Sequence, residues 1–364
     1  NNNDGKLTAN GGAGSAGIGG GFGEDGQAAI TGGEIIANGG DYGAGIGGGK
    51  NYNSAGGNGD VAISGGKITA QGGDHAAGVG GGGDYNGNST NTGNGNVTIS
   101  GGEITASGGW LGSGIGGGIF GTGTVTISGG TIKDAQGGAG AAGIGGGSYG
   151  DGDVKVSGNA IIANAESARY GSGIGAGQGS LRDNISTVGK VTIEGNAKIE
   201  NAKSGYGGSG IGGGAIGIGN VIVRGNAQIG NAIGGEEGAG IGGGALGTGD
   251  VTIEGNVTIE NAQGGAGAAG IGGGAETESD TEDTRNTVSI KSTKAGSPDI
   301  TATGGEASDG SLPGAAAIGS GSVAHDATEV KSDITIEGKV TINATGGGNI
   351  AIGDSVETKF ENLA

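Results

Sequence analysis

Apolar residues in this chain follow two short patterns separated by glycine. The first is a strict alternation, as in Val125-Thr126-Ile127 and Glu103-Ile104-Thr105-Ala106. A period of two places the apolar residues on one face and predicts short strands. The second is a lone branched residue in a glycine run. Gly-Ile-Gly-Gly-Gly recurs with its Ile at 18, 46, 115, 144, 211, 241 and 271, and looser copies centre on Val79, Ile174, Ile318 and Ile352. These anchors are spaced 28, 33, 36, 29, 30, 37, 30, 30, 47 and 34 residues apart. A period of that size signals a solenoid. The lone Ile is expected to point into a core and the glycine backbone around it to lie bare on the outside.

One repeat shows the unit. Val125-Thr126-Ile127 is a strand, Ser128-Gly129-Gly130 a turn and Thr131-Ile132-Lys133-Asp134 a second strand. Gln136-Gly137-Gly138 turns again, and Gly143-Ile144-Gly145 is a third strand before the chain returns to Val154. Three strands and three turns in about 30 residues predict one coil of a right-handed parallel β-helix, with coils stacked about 4.8 Å apart. The expectation is an all-β solenoid of about eleven coils forming one domain over 1–364. Regular coils occupy 28–294; degenerate coils and a C-terminal cap, with Phe360, occupy 295–364.

Two kinds of turn divide the chain. Gly-Gly stands at 32–33, 65–66, 101–102 and 129–130, and Gly-Asn at 158–159, 195–196, 225–226 and 255–256, with a second Asn at 164, 201, 231 and 261. Asn tolerates left-handed backbone, so these Asn are expected at the corners, stacked in bonded ladders. Anchor to next strand takes 10 residues at 115→125 but 15 at 46→61, 18 at 79→97 and 17 at 271→288. All insertions are therefore expected at the corner after the third strand. Two charge series, Glu34/Lys67/Glu103 and Glu194/Arg224/Glu254, hold one offset each and should alternate along the axis.

Composition narrows the functional classes. The chain has 364 residues, 104 of them glycine, no cysteine and a net charge of −19. The glycine phrase recurs every 28 to 47 residues, which fits neither collagen nor a disordered tract. The charge argues against nucleic acid as a partner, and no apolar run reaches the length of a membrane-spanning helix. Absence of cysteine removes a disulfide framework. The first repeat lacks its leading strand and no signal peptide is present, so a fragment of a larger extracellular bacterial surface protein is expected.

Aromatic residues supply the candidate site. Tyr42, His75, Trp110, Tyr170 and Tyr206 lie four or five residues before an anchor. Phe22, Tyr52, Tyr85, Phe120 and Tyr149 lie four to six after one. Stacked in register they predict two broken rows flanking a glycine floor. Aromatic faces take the C–H surfaces of sugars, and exposed backbone bonds hydroxyls, so a glycan is the expected ligand. The bland alternative is that the rings shield a thin core. A third is that the floor mates with a second copy of the chain. The acidic segment Glu276, Glu278, Asp280, Glu282 and Asp283 is a candidate Ca²⁺ loop, though solvated acidic insertions look the same. No catalytic constellation stands out: stacked carboxylates meet the spacing of a glycosidase pair almost anywhere on such a solenoid.

The phrases Val-Thr-Ile-Ser-Gly-Gly, Glu-Ile-Thr-Ala and Gly-Ile-Gly-Gly-Gly together resemble glycine-rich repeats of large cell-surface proteins of gut Firmicutes. More distantly, they resemble carbohydrate-binding parallel β-helix modules. The resemblance covers roughly residues 6–354 and implies an adhesin-like module that binds glycan or a host surface ligand. A passive or self-associating stalk, and a polysaccharide-active lyase or hydrolase, remain the alternatives.

Overall fold

The computed structural model describes residues 5–50, 57–84, 93–275, 285–307, 314–322, 331–348 and 350–353. The alternating segments are strands, and their alternation is the burial pattern. In Gly95–Ile99, Val97 and Ile99 point inward while Asn96 and Thr98 face solvent. Each strand pairs in parallel with its counterpart one coil away, which builds three sheets along one axis. First strands run from Gly26–Ile30 to Lys331–Glu337, and second strands from Lys6–Asn10 to Thr341–Thr345. Third strands, only two residues long, run from Ile18–Gly19 to Ile318–Gly319. The chain is a right-handed parallel β-helix.

Register stacks like on like. Val97, Val125 and Val154 align on one sheet, and Ile68 with Ile104 on another. The anchors Ile115, Ile144, Ile174 and Ile211 form one column with no solvent exposure. The core among the described residues consists of such columns of Ile, Val and Ala, with no aromatic ring. Each inward Ile or Val contributes roughly 1.5–3 kcal/mol by burial. Cohesion therefore comes from many small columns instead of a few large side chains.

Both charge series stack as expected. Glu34, Lys67 and Glu103 are in register, extended by Lys6 Nζ at 3.3 Å from Glu34 and Lys133 Nζ at 3.9 Å from Glu103. Glu194 takes Lys155 at 2.7 Å and Arg224 Nε at 2.9 Å. Glu254 follows in register between Arg224 and Lys291. The Asn ladders also form: Asn196 donates to Asn159 at 3.1 Å, Asn226 to Asn196 at 3.0 Å, and Asn231 to Asn201 at 3.0 Å.

Two expectations fail. The left-handed residue at the later turns is the glycine, with φ of 62°, 73°, 80° and 92° at Gly158, Gly195, Gly225 and Gly255; Asn159, Asn196, Asn226 and Asn256 do not adopt positive φ. Insertions are not confined to one corner. Residues 292–298 enter between a first and a second strand, where the others have a short turn. The segment before Ile318 is lengthened as well. A coil must close its circuit in register, but any corner outside the sheets can absorb extra chain.

Candidate functional site

The glycine phrase does not form an exposed floor. In Gly45-Ile46-Gly47-Gly48-Gly49 every residue is buried, and the same holds at Ile115 and Ile144. The limbs of chain before and after the third strand fold over its outer face and bond each other. Within a coil Ala44 N–H donates to Gly48 C=O at 2.9 Å. Between coils, each later limb donates to the earlier limb of the preceding coil. Lys50 N bonds Gly14 O at 2.7 Å, Gly83 N bonds Tyr42 O at 2.7 Å, Ile119 N bonds His75 O at 2.8 Å, and Ala215 N bonds Tyr170 O at 2.7 Å. These rungs make a fourth ladder, a seam lying outside the third sheet.

This layering explains the glycine. The residue after each anchor from Ile18 to Ile318 sits at φ near +130°, as at Gly47 (134°), Gly145 (130°) and Gly212 (130°). Side chains do not tolerate that region, and a Cβ on Gly47 would overlap the Gly80 carbonyl. Two residues further on, a Cβ on Gly147 would overlap the Gly118 carbonyl. Backbone packs directly on backbone, and only glycine lets it. The bare glycine floor expected from the sequence is therefore absent at these coils, since the phrase is buried within the chain itself.

The aromatic residues stand on both sides of the seam. Tyr42, His75 and Tyr170 lend it their carbonyls, while Phe120 and Tyr149 directly follow the donors Ile119 and Ser148. Among the described residues three pairs of rings meet across successive coils. Tyr42 meets His75 edge-on at 5.4 Å, Phe120 stacks on Tyr149 at 5.0 Å, and Tyr170 meets Tyr206 edge-on at 5.5 Å. The Lys50 ammonium lies 4.2 Å above the Tyr42 ring. Trp110 is 61% exposed, Phe22 50% and Tyr206 42%. Tyr52, Tyr85 and the acidic segment Glu276, Glu278, Asp280, Glu282 and Asp283 lie outside the described residues. Among the described residues no cluster of His, Asp and Glu has the form of a metal site.

Several of these side chains sit in left-handed backbone: Tyr42 at φ 64°, His75 at 61°, Phe120 at 57° and Tyr149 at 65°. Such a conformation costs a bulky residue on the order of 1–3 kcal/mol. Gly14 (75°) and Gly267 (69°) adopt it at the offset that Tyr42 and His75 occupy. Glycine is thus geometrically sufficient there. Ile216 (60°) and Leu246 (59°) continue the Phe120 and Tyr149 row in the later coils. Aromatic residues alone do not reveal this continuation; a search for any large apolar residue five positions after the anchor finds it.

Acidic residues adjoin the rings along the chain. Asp41 and Asp74 are exposed and directly precede Tyr42 and His75. The Glu236 carboxylate raises the Tyr206 hydroxyl above the ordinary tyrosine value, by charge and by a hydrogen bond between them. Neighbouring Glu237 is also raised, first by burial and then by Glu236. A separate groove of about 450 Å³ lies at the opposite turn. Glu194, Arg224, Glu254 and the glycines of their turns line it, and Thr293 and Ala295 of the inserted segment wall it.

A family model for a beta helix repeat matches residues 3–22, 29–50, 61–83, 97–119 and 125–148. No curated protein and no solved structure matches the chain.

Proposed function

We propose that this β-helix is an adhesin-like module of an extracellular bacterial surface protein and binds a glycan along the aromatic-lined seam. One observation carries the reading. Tyr42 and His75 hold left-handed backbone at an offset where Gly14 and Gly267 serve equally well, so folding does not require the rings. The core is complete without any aromatic side chain among the described residues. Shielding is a weak account of Trp110, Phe22 and Tyr206, because a shielding ring is itself covered and these are 42–61% exposed. Exposed aromatic rings along the seam suit the C–H faces of sugars.

A glycan array probed with the wild-type chain and the Trp110→Ala, Tyr170→Ala double variant tests this. Binding that disappears in the variant supports the seam as the site; binding that survives both changes removes it. The second reading is a passive stalk, favoured by three sheets that run the length of the described coils. A stalk binds nothing on the array and resists extension as a rigid rod.

A further inference from the structure

Resting on that glycan reading, we propose that the seam selects an extended polymer of amine-bearing sugars, a glucosamine-type chain lying parallel to the solenoid axis. The direction follows from spacing. The paired rings are 5.0–5.5 Å apart between successive coils, comparable with the advance per sugar in an extended 1,4-linked chain. A polymer running along the axis therefore meets two rings in succession at each pair, whereas one running across it meets a single coil.

The charge of the ligand follows from what borders the rings. Asp41 and Asp74 stand next to Tyr42 and His75, and Glu236 reaches Tyr206, on a chain whose net charge is −19. Uronic or sulfated polymers are repelled by that surface. An ammonium group is drawn to it twice, by the carboxylates and by the ring faces. The chain already displays this chemistry with its own amine, since the buried Lys50 places Nζ 4.2 Å over the Tyr42 ring. Trp110 and Tyr206 are further exposed aromatic residues beside the seam.

Calorimetric titration with a β-1,4-glucosamine hexamer, its fully N-acetylated counterpart, an oligogalacturonate and an oligolysine separates the outcomes. The glucosamine hexamer is expected to bind about tenfold more tightly than the acetylated one, a gain of the size that cation–π contacts supply. Added salt and the Asp41→Asn, Asp74→Asn double variant should both reduce that gain, and Trp110→Ala should weaken both hexamers. Equal binding of the two hexamers overturns the preference for amines and leaves the glycan reading standing. Oligolysine binding as tightly as the glucosamine hexamer overturns the sugar component. Failure of every saccharide overturns both readings.

Discussion

Early and late coils of this solenoid differ by two residues in the same circuit. From Val97 to the anchor Ile115 is 18 residues; from Val191 to Ile211 is 20. One added residue extends the first turn, where Ala160, Ala197, Ala227 and Val257 are buried. The other bulges the second strand. Ile104 and Ala106 are separated by one residue, but their partners Ile132 and Ala135 are separated by two. The bulge begins there and ends between Ile259 and Ala262, where the next strand reverts to the shorter spacing. A strand in a parallel helix bonds both neighbours, so a bulge in one coil alone disrupts two ladders. A run of coils with the same bulge confines the mismatch to its two ends. Asn side chains then occupy the bulged position and bond along the axis, as Asn231 and Asn261 do at 3.0 Å and 3.3 Å. The family match stops with the coil ending at 148, just before the coils with both added residues.

The largest expected effect tests what the two regions share. Gly116→Ala in an early coil and Gly212→Ala in a late one each force a side chain into φ near +130° and against the next carbonyl. Each should lose about 3 kcal/mol or more, equally in the two regions, by chemical denaturation. A clearly unequal pair would show that the glycine column is not common to both.

A change confined to the late region comes next. Deleting Asn231 leaves a flat strand between two bulged ones and turns Ala232 away from the core. The expected loss is about 2–4 kcal/mol. Asn231→Ala keeps the spacing and removes only ladder bonds, for about 0.5–1.5 kcal/mol, while Thr105→Ala in the unbulged strand should be near neutral. Equal effects of deletion and substitution would overturn the idea that spacing must match between neighbours.

Charge effects are smaller and carry opposite signs. Lys155 and Arg224 hold the Glu194 carboxyl below its ordinary range. Its contribution is present above the unfolded carboxylate range and lost as pH falls through the folded value. Arg224→Gln should therefore cost less than about 1 kcal/mol at neutral pH, with the difference vanishing in acid. Glu237 is raised, so its favourable contribution belongs to the protonated form and is lost as pH rises through the folded value. Glu237→Gln should slightly raise the thermal midpoint at neutral pH and leave it unchanged in acid. Thermal melts at the two pH values check both signs.

Much of the fold was legible because like residues stack on like. Once Ile115, Ile144, Ile174 and Ile211 share an offset, one buried column follows, and the charge series follow with them. The site was less legible. Offsets told which coils carry Tyr42, His75, Trp110, Phe120 and Tyr149, but not what lies between them. The glycine strip is covered because the limbs bond across coils, Lys50 to Gly14 and Gly83 to Tyr42. Those partners belong to neighbouring coils, beyond any pattern within one repeat. The insertion at 292–298 was likewise hidden, since the spacing between two anchors does not say at which corner the extra residues enter.

The order of residues by itself determined the period, the strands and the inward columns, because alternation and a lone Ile in glycine each have one way to bury their apolar side chains. Only the tertiary structure decided which side of the glycine backbone is dry. Glycine carries no side chain to mark an inner or outer face, so the contact of one limb's carbonyl with the next coil's backbone settles it.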